Sequence, residues 1–163
     1  MQGSAFVFGD EINTDLIAPA IANHDGELVD VLFQPIRPNF AGEVDAGDII
    51  VAGNHFGSGS SRETAPQAIL DAGISAVVAN SFSRIYYRNS VAIGLPAIVC
   101  HGAASIVSEG DVVEIDLVDG KFNNHTTSES LDFVPIPQEI RSIFEAGGLM
   151  KHYESHPDGL RFD

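Results

Sequence analysis

The 163-residue chain has no tryptophan, a single cysteine and only two lysines, Lys121 and Lys151. With Cys100 alone, an intramolecular disulfide is excluded, and the chain cannot by itself supply a multi-cysteine metal site. Positive charge is scarce. Eight Lys and Arg stand against 23 Asp and Glu, and the net charge of −15 repels nucleic-acid phosphates and anionic membrane surfaces. No apolar run approaches the span of a membrane helix, and the N-terminus lacks the charged and apolar regions of a signal peptide. The expectation is a soluble, cytoplasmic protein with neither nucleic acid nor membrane as partner. Hydrophobic residues make up 44% of the sequence and no internal repeat is visible, so residues 1–163 are read as one domain.

The few cations are unevenly placed: three of the six arginines, Arg62, Arg84 and Arg88, fall in one short segment. Arg62 lies in the most informative stretch, Gly57-Ser58-Gly59-Ser60-Ser61-Arg62-Glu63, which packs two glycines, three hydroxyls and a guanidinium together. Ile49-Ile50-Val51-Ala52 before it reads as a buried strand. Ala65, Ala68, Ile69 and Ala72 after it recur at helical spacing. Gly57 and Gly59 thus occupy a strand-to-helix turn, where backbone can approach a ligand and free N–H groups favour negative charge. Ser60 and Glu63 also match a capping box. Pro66 argues otherwise, because proline is comfortable only in the first helical turn; the helix is predicted to start near Glu63 or Thr64, leaving Ser60, Ser61 and Arg62 in the loop.

Ser4 to Phe8 reads as a strand and Gly9 to Asp15 as a polar loop. A brief helix over Glu27 to Phe33 ends before Pro35. Strands at Ile49, at Ala76 to Ala79 and at Ala97 to Val99 alternate with helices, the second carrying Phe82, Ile85, Tyr86 and Ile93 on one face and stopping at Gly94. A short helix at Ala103 to Val107 leads to Asp111 to Val118, whose Asp119-Gly120 turn signals a hairpin. Pro137 to Ala146 is the final helix expected. The alternation implies a parallel α/β layer with an added β-rich part, and the loops Gly57 to Arg62 and Ser81 to Arg84 share the edge where ligands bind in such sheets.

Five blocks in order then carry a resemblance: Phe8-Gly9-Asp10 with Asn13-Thr14-Asp15; Gly47-Asp48-Ile49-Ile50; Gly57 to Glu63; Ser81-Phe82-Ser83-Arg84-Ile85 with Arg88-Asn89; and Gly94-Leu95-Pro96. In these the chain resembles the small subunits of 3-isopropylmalate dehydratase, relatives of the C-terminal swivelling domain of aconitase. The resemblance implies a three-layer β/β/α swivelling domain and a hydro-lyase of leucine biosynthesis, active only with a large catalytic subunit that carries a [4Fe-4S] cluster. This chain would bind no cluster or metal itself. By similarity to aconitase, Ser60 would be the base, Arg62 would bind a carboxylate of a di- or tricarboxylate substrate, Ser61 would add a hydroxyl or backbone donor, and Asp15 would line the site. Gly57, Gly59, Arg84, Arg88 and Asn89 are supporting residues.

Other residues have blander readings. Asn13-Thr14-Asp15 is also an ordinary turn or cap sequence, His55 beside a strand end is a surface or core histidine, and Cys100 after an apolar strand is a buried small hydrophobe. His152 and His156 lie four apart, but Pro157 and the chain end make them no metal site. A P-loop is disfavoured, since Arg62-Glu63 stands where Gly-Lys-Ser/Thr would. A non-catalytic anion-binding module on the same fold is the competing function, and Ser60-Ser61-Arg62 discriminates against it.

The chain departs from its family after Pro19-Ala20. Relatives usually continue with Arg-Tyr-Leu in a loop that contacts the substrate's variable group; here Ile21-Ala22-Asn23-His24 stands, and no Lys or Arg precedes Arg37. Ile21 and Ala22 suit an alkyl substituent, whereas a third carboxylate would be desolvated without a permanent cation. Isopropylmalate is the expected substrate, with dimethylmalate, citramalate and homoaconitate as alternatives.

Overall fold

The computed structural model of the chain describes residues 1–19, 28–59 and 63–155. Ile21, Ala22, Asn23, His24, Ser60, Ser61, Arg62 and His156 lie outside the described residues.

The chain runs β1 (Gln2–Val7), α1 (Thr14–Ile17), a 3₁₀ turn (Leu28–Val31), α2 (Phe40–Glu43), β2 (Ile49–Ala52), α3 (Thr64–Asp71), β3 (Ala76–Ala79), α4 (Arg84–Ile93), β4 (Ala97–Val99) and α5 (Ala103–Ile106). It continues through β5 (Val112–Asp116), β6 (Lys121–Asn124), β7 (Glu129–Asp132), α6 (Gln138–Ala146) and α7 (Leu149–Ser155). One curled seven-stranded sheet takes the order β4-β3-β2-β1-β5-β6-β7. Strands β1 to β4 are parallel, with Ala5, Phe6 and Val7 opposite Ile49, Ile50 and Val51, and β5 to β7 are antiparallel.

Every residue of β2 and β3 is buried, as a parallel strand covered on both faces requires. Their side chains alternate between two cores with the period of two that a strand imposes. Ile50, Ala52, Val77 and Ala79 face one core with Phe6, Phe8, Phe33, Phe40, Ile69 and Tyr86. Ile49, Val51, Ala76 and Val78 face the other with Val113, Ile115, Phe122 and Phe133. The first core lies between the parallel strands and the helices. The second lies between the parallel half of the sheet and its own antiparallel half, so the curl produces the β/β/α layering. Phe8 stacks on Phe33 at 4.3 Å and Phe40 meets both Phe6 and Phe33 edge-on, geometry worth about 0.5–1.5 kcal/mol per pair beyond the area buried.

Several elements differ from the sequence reading. α3 begins at Thr64, as Pro66 predicts, and its cap residue Glu63 makes no side-chain cap bond. Ile85 is 46% exposed and belongs to no core face. Ser83 caps α4 through its hydroxyl, which sets Tyr86, Ser90 and Ile93 inward and leaves Phe82 ahead of the helix. The strand β7 and the helix α7 follow where no element was expected, so α6 is not the last helix.

Candidate functional site

The carboxyl ends of β1, β2 and β3 lead into three segments knitted together by hydrogen bonds. After β1, the Asp10 carboxylate accepts from the Asn54 backbone at 2.6 Å and from its amide nitrogen at 3.1 Å. Gly57 donates to the Ile12 carbonyl at 2.7 Å, and Thr14 donates to the Ser58 carbonyl at 2.8 Å. Asn13 and Ser58 pair as an isolated parallel bridge. After β3, Ser81 accepts the Phe56 N–H at 3.0 Å through its carbonyl and the His55 N–H at 2.9 Å through its hydroxyl. The Ser83 hydroxyl donates to the Gly57 carbonyl at 2.6 Å. Residues 53–59 are thus a ribbon held on both sides, and it delivers the chain into Ser60.

Both glycines of the ribbon have a local cause. Gly57 adopts φ +79° and a Cβ there would stand 2.1 Å from Cγ of Tyr86; Gly59 adopts φ +109° and its Cβ would stand 2.9 Å from Oγ1 of Thr14. The space that the missing side chains leave is taken by protein, so the glycines seat the ribbon on Tyr86 and Thr14. Tyr86 in turn is packed edge-on against Phe56 at 5.3 Å and stacked on Phe82, and burial pushes its phenol pKa up. Gly57→Ala is therefore expected to combine backbone strain with overpacking and to destabilise the chain by about 2–4 kcal/mol. Chemical denaturation checks this, with a drop in midpoint at unchanged slope expected.

Asp15 sits in the first turn of α1. The Asn13 side chain accepts from both the Asp15 and Leu16 N–H groups at 3.0 Å, so the blander cap reading of Asn13-Thr14-Asp15 holds for Asn13. The Asp15 side chain is exposed beside the ribbon, on the same edge as Gly59. The sequence reading took Asn13, Thr14 and Asp15 together as one motif, and Asn13 and Thr14 hold the turn that bears Asp15. An Asx cap before a short helix is the signal that marked Asn13; the pairing with Ser58 is tertiary and left none.

Arg84 and Arg88, one helical turn apart at the start of α4, are exposed, and Asn89 is half-buried. With Asn80, Ser81, Phe82, Tyr87, Val99 and His101 the two arginines line a hollow of about 540 Å³ beside the ribbon. Two of the scarce cations, Arg84 and Arg88, thus share this edge, and Arg62 lies outside the described residues. Tyr87 and His101 went unnoticed in the sequence, since neither sits in a motif.

Cys100 is buried, and burial together with Asp132 pushes its thiol up to about 11, so the thiolate a metal needs is disfavoured. Among the described residues no group of His, Cys, Asp or Glu is gathered to hold a metal ion. With Cys100 the single cysteine of the sequence, and buried, the described residues do not fit an iron–sulfur cluster. A thiol-specific reagent at pH 8 is expected to label folded Cys100 at least about two hundredfold more slowly than a free cysteine of pKa about 8.5, from the thiolate fraction alone. Equal rates in folded and denatured chain would contradict the burial.

Comparison with known proteins bears on the whole chain. The model of the aconitase C-terminal domain matches residues 37–101. A 3-isopropylmalate dehydratase small subunit from Halothermothrix orenii is 45% identical, the alignment covering 93% of each chain. An isopropylmalate/citramalate isomerase small subunit from Methanocaldococcus jannaschii is 43% identical, covering 93% of this chain and 92% of that one. The crystal structure of 3-isopropylmalate dehydratase from the same organism superposes with a TM-score of 0.88 at 36% identity, covering 96% of this chain and 94% of that chain.

Proposed function

The chain belongs to the family of 3-isopropylmalate dehydratase small subunits, hydro-lyase subunits of leucine biosynthesis with the aconitase C-terminal fold, and on that premise we propose that it interconverts 2- and 3-isopropylmalate together with a large subunit. The observation that carries this reading is the clamp at the sheet edge. Thr14 N–H to Ser58 C=O at 2.8 Å and the Asn13–Ser58 bridge tie the segment entering Ser60 to the first turn that holds Asp15. The segment that leads toward Ser60 and the turn that bears Asp15, far apart in sequence, are thereby anchored to one sheet edge, as a proton-transfer site needs.

The reaction removes water from a hydroxy acid and restores it in the opposite sense. A [4Fe-4S] cluster on the large subunit supplies Lewis-acid chemistry at the hydroxyl, a role this chain's residues do not fit. Ser60 takes the proton from the carbon next to a carboxylate. A serine hydroxyl is a poor base in water and works only where its anion is stabilised. Backbone N–H groups of the turn, the N-terminus of α3 two residues beyond Arg62, and the Arg62 guanidinium all favour that transient charge. Arg62 grips a substrate carboxylate, Ser61 donates a hydrogen bond to it, and Asp15 orients an acid or water on the partner's side. Closure against the large subunit excludes water and strengthens each of these interactions. No helix among the described residues is long and apolar enough to cross a membrane.

Substrate choice rests on Ile21 and Ala22, which suit an apolar substituent, and on the absence of Lys or Arg before Arg37. Citramalate is the second reading. It is favoured by the 43% identical relative whose name couples the two substrates, and a methyl group suits the same apolar residues. Steady-state assays of the two-subunit enzyme on isopropylmalate, citramalate, dimethylmalate, citrate and homocitrate decide the matter. The expected order places the alkyl-substituted malates at least about tenfold above either tricarboxylate in kcat/KM, the least that an unpaired desolvated carboxylate costs. A tricarboxylate at the top would assign a cation to the loop from the partner and overturn the assignment of Ile21 and Ala22.

A further inference from the structure

Strand β4 is one border of the sheet, and along it Val99 is 41% exposed whereas Ala97 is 1% exposed. Val77 donates to the Pro96 carbonyl at 2.9 Å and Cys100 donates to the Ala79 carbonyl at 3.0 Å, so Pro96 and Cys100 turn their backbone toward β3. Backbone groups alternate sides along a strand in a parallel pair, which directs the N–H and C=O of Ala97 and Val99 outward. A groove of about 510 Å³ runs along this border, lined by Tyr87, Ala97, Val99, His101 and the segment 132–137. It continues into the hollow at Arg84 and Arg88, with which it shares Tyr87, Val99 and His101.

The walls of the groove differ in chemistry. Val134 on the far wall is 83% exposed, Val99 is 41% exposed, and the only carboxylate lining the groove, Asp132, is held by Lys121 at 2.5 Å. At the α4 end the charge is positive and unspent. Arg37 pairs with Glu43 and Glu109, and Arg141 donates to the Ile136 carbonyl, whereas Arg84 and Arg88 make no ion pair or hydrogen bond among the described residues. Lys151, against Gly147 at the opposite end of α4, is the other cation in that condition.

We propose that this groove takes an extended, carboxylate-bearing segment of the large subunit, which hydrogen-bonds to the backbone of Val99 and sets its acidic side chains against Arg84 and Arg88. The inference rests on the two-subunit reading. An open sheet edge is a ready template for an added strand, the main-chain bonds giving affinity and the flanking side chains giving register. Charge complementarity names the occupant: in a chain of net −15, two adjacent unpaired guanidinia select an acidic segment, and a second copy of the chain would bring fifteen like charges with it. Because the groove adjoins the ribbon that enters Ser60, docking here also fixes how the large subunit faces the reacting edge.

The test mixes purified large subunit with this chain and measures the dissociation constant, together with amide hydrogen exchange at Val99. Binding of the wild-type chain is expected to protect that amide. Arg84→Glu with Arg88→Glu is expected to weaken binding at least about tenfold without lowering the melting temperature of the free chain. Val99→Pro removes one outward N–H, leaves the bonds to β3 in place and is expected to weaken binding by about tenfold. Lys151→Glu, the same charge reversal at the far end of α4, is expected to change binding by less than about threefold. Undiminished affinity of the doubly reversed chain, with the Val99 amide unprotected in the complex, overturns the groove and leaves the two-subunit reading standing. Failure of the wild-type chain to bind overturns both. Self-association of the chain that the same substitutions abolish assigns the edge to a second copy and overturns the proposal.

Discussion

Replacing Ser60 with alanine is expected to lower kcat of the two-subunit enzyme by at least about a thousandfold while leaving assembly intact, a loss of about 4 kcal/mol of transition-state stabilisation. The change deletes one oxygen from a segment whose anchors lie elsewhere. Residues 53–59 hold to Ile12, Ser81, Ser83 and Thr14 through backbone and serine groups that the substitution does not touch. KM is expected to move little, because the hydroxyl acts in proton transfer rather than in ground-state binding. Single-turnover kinetics with a C2- or C3-deuterated substrate sharpens the test. Near-normal turnover in the Ser60→Ala complex would remove Ser60 from the mechanism.

Replacing Arg62 with alanine is expected to lower kcat/KM by about a thousandfold, since it leaves a substrate carboxylate desolvated in the closed site without its counter-charge, a loss of about 3–5 kcal/mol. Arg62→Lys restores the charge but not the planar fork, and is expected to recover part of the loss while KM stays about tenfold or more above normal. The scarcity of cations makes the position hard to replace. Arg84 and Arg88 lie on α4, beyond the ribbon, and cannot take over a grip made within the loop itself. Equal kinetics in the lysine variant and the parent would show that Arg62 acts as a diffuse charge and not as a bidentate ligand.

The parallel half of the fold was legible because its strands are short, wholly apolar and separated by helix patterns. Ile49 to Ala52 and Ala76 to Ala79 occur as read, and α3, whose start Pro66 located near Glu63 or Thr64, begins at Thr64. Ile85 was misplaced because the helical face was counted from Phe82, which lies before the Ser83 cap; a frame begun at the cap puts Tyr86, Ser90 and Ile93 inward. Strand β7, Glu-Ser-Leu-Asp, carries no β-branched pattern and exists through its pairing with β6. In α7, Leu149 to Ser155, His152 is the one buried side chain, too little for a periodic signal. At the site, the motif from Gly57 to Glu63 stood out in the sequence, but the reason for its glycines did not. That reason is Tyr86 and Thr14, contributed by two other segments.

Dependence on a second subunit is the central claim, and titrating purified chain against its large subunit while recording 2-isopropylmalate turnover tests it most directly. The account predicts no turnover by this chain alone, activity that rises with added large subunit to a plateau, and loss of that plateau when Ser60→Ala chain is substituted. Turnover of 2-isopropylmalate by this chain alone, with no large subunit present, would contradict it.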